Sequence, residues 1–203
     1  MGRNTSPADP QRPARERILL AAADLFGRHG LRAVGVDRVI AESGVAKATL
    51  YAHFSSKDEL SATYLRNVDS LWAGKLREAA QAAGEDPRDQ LVGMFEAVKG
   101  AWRRHGFRGC AFINATAESE PGSLPYQVAV AHKKAVHAWV RELAVAARAD
   151  DPDVLARQLT LLIDGSLVAG RTGDGEAAAA AAADAAAVLV EQACPPRPGT
   201  SAP

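Results

Sequence analysis

Hydrophobic residues recur at helical spacing over nearly the whole of this 203-residue chain, from residue 13 to residue 193. Ile18, Ala22 and Leu25, for example, follow one another at intervals of four and three residues, which places them on one face of a helix. No stretch alternates β-branched or aromatic residues with polar ones for long enough to make a strand. The sequence therefore predicts an all-α fold.

Glycines, prolines and capping residues divide this pattern into about nine predicted helices. Ser56 with Glu59 three residues later is typical of a capping box, and Asp151 followed by Pro152 is typical of a helix start. In chain order we predict helices at about 13–29, 36–43, 47–54, 56–83, 87–105, within 108–120, 124–149, 152–173 and 174–192.

Composition excludes several classes of protein. A hydrophobic fraction of 47% is too high for a disordered chain. The longest membrane candidate, 177–190, is mostly alanine and carries Asp184, so we expect no membrane span. Cys110 and Cys194 are the only cysteines, too few for a disulfide framework or a spaced metal cluster. We therefore expect a cytoplasmic protein that holds no metal and no cofactor.

The formal net charge of 0 conceals an uneven distribution. Residues 1–57 contain nine Lys or Arg and five Asp or Glu, which gives 9 − 5 = +4, and the remainder is −4. A basic segment on an otherwise acidic chain suggests a polyanionic partner for that segment, although four charges are also common on an ordinary solvated surface.

Residues 36–54 have the spacing of a helix-turn-helix. Two short predicted helices are joined by a turn at Gly44, and Val39 and Leu50 are placed to share a core. A reader helix must be slim enough for a major groove about 12 Å wide, and alanines keep the second helix slim. The competing interpretation is a tight helical hairpin without a DNA function. Against it stand the basic segment and Lys57, which follows Ser56 at a helix start suited to a phosphate.

Residues 44–60, which read GVAKATLYAHFSSKDEL, resemble the signature of TetR-type transcriptional regulators. The close resemblance covers about residues 13–60, and the rest agrees in the number, lengths and breaks of the helices. It implies a helix-turn-helix domain at 13–57 and a ligand-binding and dimerisation domain at 58–193. In such proteins the last two helices pack across a two-fold axis. We expect a disordered arm at 1–12 and a disordered tail at 194–203.

Carried onto this chain, the resemblance implies contacts with a double-stranded operator. Lys47 and Thr49 would lie toward base edges or adjacent phosphates, and Lys57 would grip the backbone. The full expected set is Val36, Lys47, Ala48, Thr49, Tyr51, His53 and Lys57. The chain departs from the family at Gly35 and Ala46, where Ser or Thr often caps the two helices. Each lost cap costs up to about 1 kcal/mol.

Large aromatic residues in the second domain are candidates for an effector pocket. Alanine-rich helices with few large side chains tend to leave gaps, although any one aromatic residue on a helical stripe usually belongs to the core. Asn114, with Glu118 one turn later, is placed to orient the polar end of an effector, or to serve as a capping or surface residue. The residues that we predict to bind a small apolar or amphipathic effector are Phe95, Trp102, Phe107, Phe112, Asn114 and Trp139.

Small residues of the predicted eighth helix favour a homodimer through the last two helices, and these residues are Gly165, Ser166, Ala169 and Gly170. The combined prediction is a ligand-responsive regulator, a repressor released from a palindromic operator. Three alternatives stay open: a redox-sensing regulator that uses Cys110 beside Arg103, Arg104 and Arg108, an all-α enzyme, and a DNA-binding protein without an effector. No grouped catalytic residues or Gly-rich phosphate loop support the enzyme.

Overall fold

Ten helices make up most of residues 9–103 and 107–195, the part of the chain that the computed structural model describes. The described residues contain no β-strand, so the all-α prediction is confirmed. The helices are α1 (Ala14–His29), α2 (Val36–Ser43), α3 (Lys47–His53), α4 (Lys57–Ala82), α5 (Pro87–Gly93), α6 (Phe95–Trp102), α7 (Ala111–Glu118), α8 (Leu124–Ala146), α9 (Pro152–Ala169) and α10 (Gly175–Ala193).

The count exceeds the predicted nine because the fifth predicted helix is interrupted at Met94. The Ala97 N–H donates to the Met94 carbonyl at 3.1 Å, a bond to the third rather than the fourth preceding residue. Gly93 directly precedes the interruption, and a Cβ there would overlap that of Ala83. The close approach of Gly93 to the end of α4 explains why this position lacks a side chain.

Contacts divide the chain into two compact units. Unit 1 contains Met1–Ser70 and Ala111–His132, and unit 2 contains Leu71–Cys110 and Lys133–Pro203. The functional boundaries predicted from the sequence, at 13–57 and 58–193, stay predictions. Most of the predicted arm and tail, residues 1–8 and 196–203, lies outside the described residues, but Cys194 is buried. Packing therefore extends at least one residue into the predicted tail.

The first three helices of unit 1 pack around one apolar core. α1 contributes a buried face, as its periodicity predicts, and α2 and α3 contribute one buried apolar residue each, Val39 and Leu50. Further buried residues of this core are Ile18, Ala21, Ala22, Leu25, Phe26, Leu31, Val34, Phe54 and Leu60. The core fixes α2 and α3 on α1 and leaves most of the outer residues of α3 exposed to solvent.

Unit 2 is built on the packing of α9 against α10. Buried alanines of α10, such as Ala179 and Ala186, let the two helices approach closely. Asp151 caps α9 by accepting hydrogen bonds from the N–H groups of Asp153 and Val154 at 3.1 and 3.0 Å. Pro152 occupies the first turn, so the predicted start of this helix is confirmed.

Candidate DNA-binding interface

The turn between α2 and α3 is made by Gly44 in the left-handed conformation, with φ 62° and ψ 26°. Its N–H donates to the Ile40 carbonyl at 3.0 Å and so closes α2. Residues with a Cβ rarely adopt this conformation, so glycine suits the position. After a two-residue connection through Val45 and Ala46, α3 begins at Lys47. This is the arrangement that the spacing of residues 36–54 predicts.

One side of α3 is anchored and the other is open. Leu50 is 0% exposed and Phe54, directly after the helix, is 1% exposed, so both hold α3 against the core of unit 1. The exposed members of the predicted DNA-contacting set are Lys47, Ala48, Tyr51 and His53, whereas Val36, Thr49 and Lys57 are half-buried. The short side chains of Ala48 and Ala52 keep this outer surface low, as entry into a groove requires.

Lys47 already has a partner of the kind that DNA would replace. Its Nζ lies 3.5 Å from Asp37 Oδ1, and the two side chains are 67% and 82% exposed. An ion pair this open contributes about 0–1 kcal/mol, because water screens it. A competing hydrogen-bond acceptor would therefore displace Asp37 from Lys47 at little cost.

Both departures from the usual caps are visible in the structure. Gly35 and Ala46, the residues before α2 and α3, make no side-chain hydrogen bond to the first turn. The backbone compensates in part, because the Ala46 carbonyl accepts from the N–H groups of Thr49 and Leu50 at 3.0 and 3.2 Å. Tertiary packing, more than capping, therefore holds these two short helices.

The start of α4 is held by a capping box displaced by one residue from the predicted one. Ser56 Oγ accepts from the Glu59 N–H at 3.1 Å, as predicted. The Glu59 carboxylate, however, accepts from the N–H and Oγ of Ser55 at 2.7 and 2.6 Å instead of returning to Ser56. Hydrogen bonds from the Ser55 hydroxyl and N–H lower the pKa of Glu59. Lys57 lies in the first turn of this ordered helix start.

Glu118 at the end of α7 is bound to the loop between α1 and α2. Its Oε2 accepts the Arg32 N–H at 2.9 Å, and a Cβ on Gly30 would lie 2.6 Å from Oε1. The Glu118 carboxylate thus caps a backbone N–H group of the chain itself, which fits the capping role that the sequence left open, and its part in orienting an effector stays a prediction. The sequence gives no hint of this contact, because the two partners are 86 residues apart. Asn114 itself is half-buried.

Phe112, another predicted effector residue, lies in a buried cluster of unit 1. It is 2% exposed and stacks on the His132 ring with the centroids 3.5 Å apart. His132 is also buried, and its Nδ1 lies 2.6 Å from Asp69 Oδ1 on α4. The cluster ties α7, α8 and α4 together within unit 1.

The other predicted effector residues belong to unit 2. Phe95 is fully buried in the core, and Trp139 is half-buried with Arg77 5.8 Å from its ring centroid. Trp102 meets Phe107 edge to face, with centroids 4.8 Å apart. Within the described residues, the buried Trp102 Nε1 finds no hydrogen-bond acceptor. An acceptor oxygen on an effector is one group that would satisfy it.

A cleft of about 980 Å³ lies elsewhere in unit 2. None of the six predicted effector residues lines it. Its lining residues are Ala83, Arg88, Asp89, Val92, Gly93, Ala187, Val190, Glu191, Gln192 and Cys194. Burial raises the pKa of the Cys194 thiol, which keeps this thiol in its unreactive protonated form.

Cys110, the candidate redox sensor, is a half-buried free thiol. Of the three arginines cited for it, Arg103 is ion-paired with Glu176 at 2.9 Å and Arg104 lies outside the described residues. In residues 9–103 and 107–195, no group of three or more His, Cys, Asp or Glu side chains is placed to hold a metal. None of the helices that the structure describes is long and apolar enough to cross a membrane.

Comparison with known proteins places this helix-turn-helix in a family. The model described as "Bacterial regulatory proteins, tetR family" matches residues 18–62. The crystal structure of a TetR-family transcriptional regulator from Streptomyces coelicolor is 32% identical in sequence, has a TM-score of 0.82, and is matched over 89% of this chain and 95% of that chain. The reduced form of NemR from E. coli, at 18% identity and a TM-score of 0.74, shares the fold over 90% of this chain and 98% of its own.

Two curated relatives match a shorter stretch. The transcriptional activator FasR of Mycolicibacterium smegmatis is 39% identical over 89 residues, which is 43% of this chain and 40% of FasR. The transcriptional repressor KstR2 of the same organism is 31% identical over 94 residues, 45% of each chain. These alignments span less than half of either relative, and one relative is named an activator and the other a repressor.

Proposed function

This chain belongs to the TetR family of transcriptional regulators, and on that premise we propose that it is a homodimeric repressor which an effector releases from a palindromic operator. It is a DNA-binding transcription regulator, and the family consists of regulators rather than enzymes. The operator, the dimer, the effector and the repressor role are parts of the proposal. We propose that its target is DNA inside the cell, and we therefore place the protein in the cytoplasm.

The observation that carries the proposal is the two-sided construction of α3. Leu50 is completely buried, whereas Lys47, Ala48, Tyr51 and His53 of the same helix are exposed to solvent. We propose that this surface enters the major groove, with Lys47 and Thr49 toward base edges or adjacent phosphates. Tyr51, His53 and Lys57 would grip the sugar–phosphate backbone, and Val36 and Ala48 would lie at the same contact surface. Phosphate contacts position such a helix and base contacts specify its site.

An exposed apolar stripe on α9 supports the dimer. Val154, Leu161 and Val168 are 46%, 65% and 48% exposed and recur every seven residues, and Val188 on α10 is 53% exposed. Of the small residues from which the interface was predicted, Gly165 and Ala169 are exposed, but Ser166 and Gly170 are buried within the chain's own fold. We propose that this stripe pairs with its copy across a two-fold axis, which sets the two readers about 34–36 Å apart.

For the effector we propose the aromatic residues of unit 2, with Trp102 as the clearest candidate because its buried Nε1 finds no acceptor among the described residues. Phe112 and Asn114 of unit 1 stay separate predictions. We propose that α4 transmits the effector's presence to Lys57, and that Glu118 holds the α1–α2 loop in the DNA-binding state. A coupling of about 1–3 kcal/mol changes operator affinity roughly 5- to 150-fold.

The test of this function is a fluorescence-anisotropy titration of the full chain against the intergenic DNA that flanks its own gene, with random DNA as control. We expect saturable binding at about 150 mM salt that is at least a thousandfold tighter than to random DNA. Equal affinity for both duplexes contradicts an operator in that region. A promoter–reporter fusion then separates repression from activation by the direction in which deletion of the gene changes expression.

We predict that Lys57→Ala weakens binding to every DNA sequence. Lys57 begins α4 beside the capping residue Ser56, a position from which it would neutralise a phosphate without reading a base. The slope of log affinity against log salt should flatten by about 0.9 for each lost contact. Lys134→Ala, which removes the same charge from an exposed position on α8, is the control. An unchanged slope in Lys57→Ala contradicts the phosphate role.

The double substitution Lys47→Ala with Thr49→Ala should instead reduce the ratio of the affinity for operator DNA to the affinity for random DNA. Each lost base contact costs about 1–3 kcal/mol on the operator, and random DNA does not supply those contacts. Titration of both duplexes at one salt concentration measures the ratio. A parallel fall of the two affinities would mean that these side chains touch only phosphate.

A further inference from the structure

We propose that Arg17 on α1 is a positioning residue of the helix-turn-helix. It sets the orientation of α3 by binding the turn between α2 and α3, and it does not contact DNA. The inference rests on the proposed DNA-binding function of α3. It assigns a specificity role to a residue that the sequence presents only as one more positive charge in the basic segment.

The guanidinium of Arg17 binds the end of α2 with three hydrogen bonds. Its Nε and one terminal nitrogen donate to the Ser43 carbonyl at 3.0 and 2.8 Å, and the same terminal nitrogen donates to the Gly44 carbonyl at 2.6 Å. Both acceptors are backbone carbonyl oxygens at the point where the chain changes direction toward α3. A planar, rigid fork that holds two consecutive carbonyls fixes the orientation of both peptide planes.

The end of α2 needs a cation that its own sequence does not supply. A helix C-terminus carries partial negative charge and unpaired carbonyls, which Lys or Arg in the last turn commonly satisfies. The last turn of α2 contains no basic residue. Arg17 therefore supplies from α1 what α2 lacks, across 26 residues of sequence.

A second arginine of α1 contacts the residue that follows the C-terminal end of α3. The Arg15 guanidinium carbon lies 5.2 Å from the centroid of the Phe54 ring, and Phe54 directly follows α3. α1 thus contacts the residues before and after α3, while Leu50 anchors its middle. With neither Gly35 nor Ala46 providing a side-chain cap, these contacts carry more of the positioning than they would in a chain with both caps.

The geometry separates this role from a phosphate contact. The Nε and one terminal nitrogen of Arg17 already donate to backbone carbonyls of the α2–α3 turn, and the side chain is half-buried. A residue used in this way contributes no counterion release when DNA binds. Its loss should misalign α3, which weakens contacts that depend on exact placement and leaves non-specific attraction intact.

The experiment compares the wild-type chain with Arg17→Ala and Arg17→Lys, with the flanking intergenic duplex and random DNA titrated at several salt concentrations. We expect Arg17→Ala to lose at least about tenfold in operator affinity, with random-DNA affinity within about twofold of wild type and an unchanged salt slope. Arg17→Lys should restore only a small part, because an ammonium cannot fork across two carbonyls. Arg28→Ala, which removes an exposed arginine of the same helix, is the matched control and should leave the ratio unchanged.

Two outcomes overturn the proposal. A parallel loss on both duplexes with a flatter salt slope makes Arg17 a phosphate contact, and an unchanged operator-to-random ratio in a folded Arg17→Ala makes it dispensable for reading. If Arg17→Ala does not fold, the folded Arg17→Lys decides by the same ratio, since full recovery by lysine contradicts the fork. Failure of the wild-type chain to prefer any duplex contradicts the proposed function instead, so the two failures are distinguishable.

Discussion

Leu161→Glu is expected to convert the protein into a monomer and to reduce operator affinity by at least about a hundredfold. Leu161 is 65% exposed at the middle of the α9 stripe, between Val154 and Val168. In a two-fold interface each substitution occurs twice, so two carboxylates would be buried against apolar residues and near each other. A monomer presents one reader and retains little beyond non-specific affinity, which is typically a factor of 10³–10⁷ weaker than specific binding.

The measurement is sedimentation equilibrium of the full chain at micromolar concentration, followed by the operator titration. Leu71→Glu is the matched control, since Leu71 on α4 is 68% exposed and lies outside α9 and α10. The control should remain dimeric and keep its affinity. A dimeric Leu161→Glu would refute the α9 stripe as the interface, and a monomeric variant with intact operator affinity would refute the need for two readers.

Local signals in the sequence were sufficient to predict the helix-turn-helix. The predicted range 36–43 coincides with α2, and the range 47–54 exceeds α3 by one residue. Gly44 at the turn and a buried Leu50 are encoded by residues close in sequence, so periodicity and turn chemistry alone locate them. The missing caps at Gly35 and Ala46 were also readable, because capping depends on a single residue beside the helix.

Contacts between segments distant in the sequence could not be predicted from such local signals. Nothing near Glu118 indicates that it binds the Arg32 N–H, and nothing near Arg17 indicates that it binds the carbonyls of Ser43 and Gly44. Periodicity places these side chains on a helix surface but does not say which segment covers that surface. An arginine in a basic segment therefore looks the same whether it holds DNA or a turn of its own chain.

The same limit applies to α9. Its sequence is apolar on several sides, and small residues such as Ser166 and Gly170 suggested where a second copy would approach. The structure instead covers those two residues with the chain itself and leaves Leu161 and Val168 exposed. Only the packing of α9 on α10 decides which apolar residues remain for a partner.

Gly170→Ala is expected to destabilise unit 2 by about 1–3 kcal/mol, as overpacking of a close contact does. A Cβ at this position would overlap the ring of Trp102 and lie 2.6 Å from the Gly175 Cα. Gly170 has φ −64° and ψ −12°, which alanine adopts freely, so the cost is steric alone. For a chain of this size the midpoint of thermal unfolding should fall by roughly 2–12 °C.

Gly74→Ala provides the opposite expectation within the same protein. Gly74 lies in the interior of α4 with no atom within 4 Å of its added Cβ, so alanine should stabilise the helix by about 0.5–1 kcal/mol. Calorimetric melting of both variants measures the contrast. If Gly170→Ala melts at or above the wild-type temperature, the Trp102 ring has room to move away. That room would itself be space beside the unsatisfied Nε1, where the proposed effector has to bind.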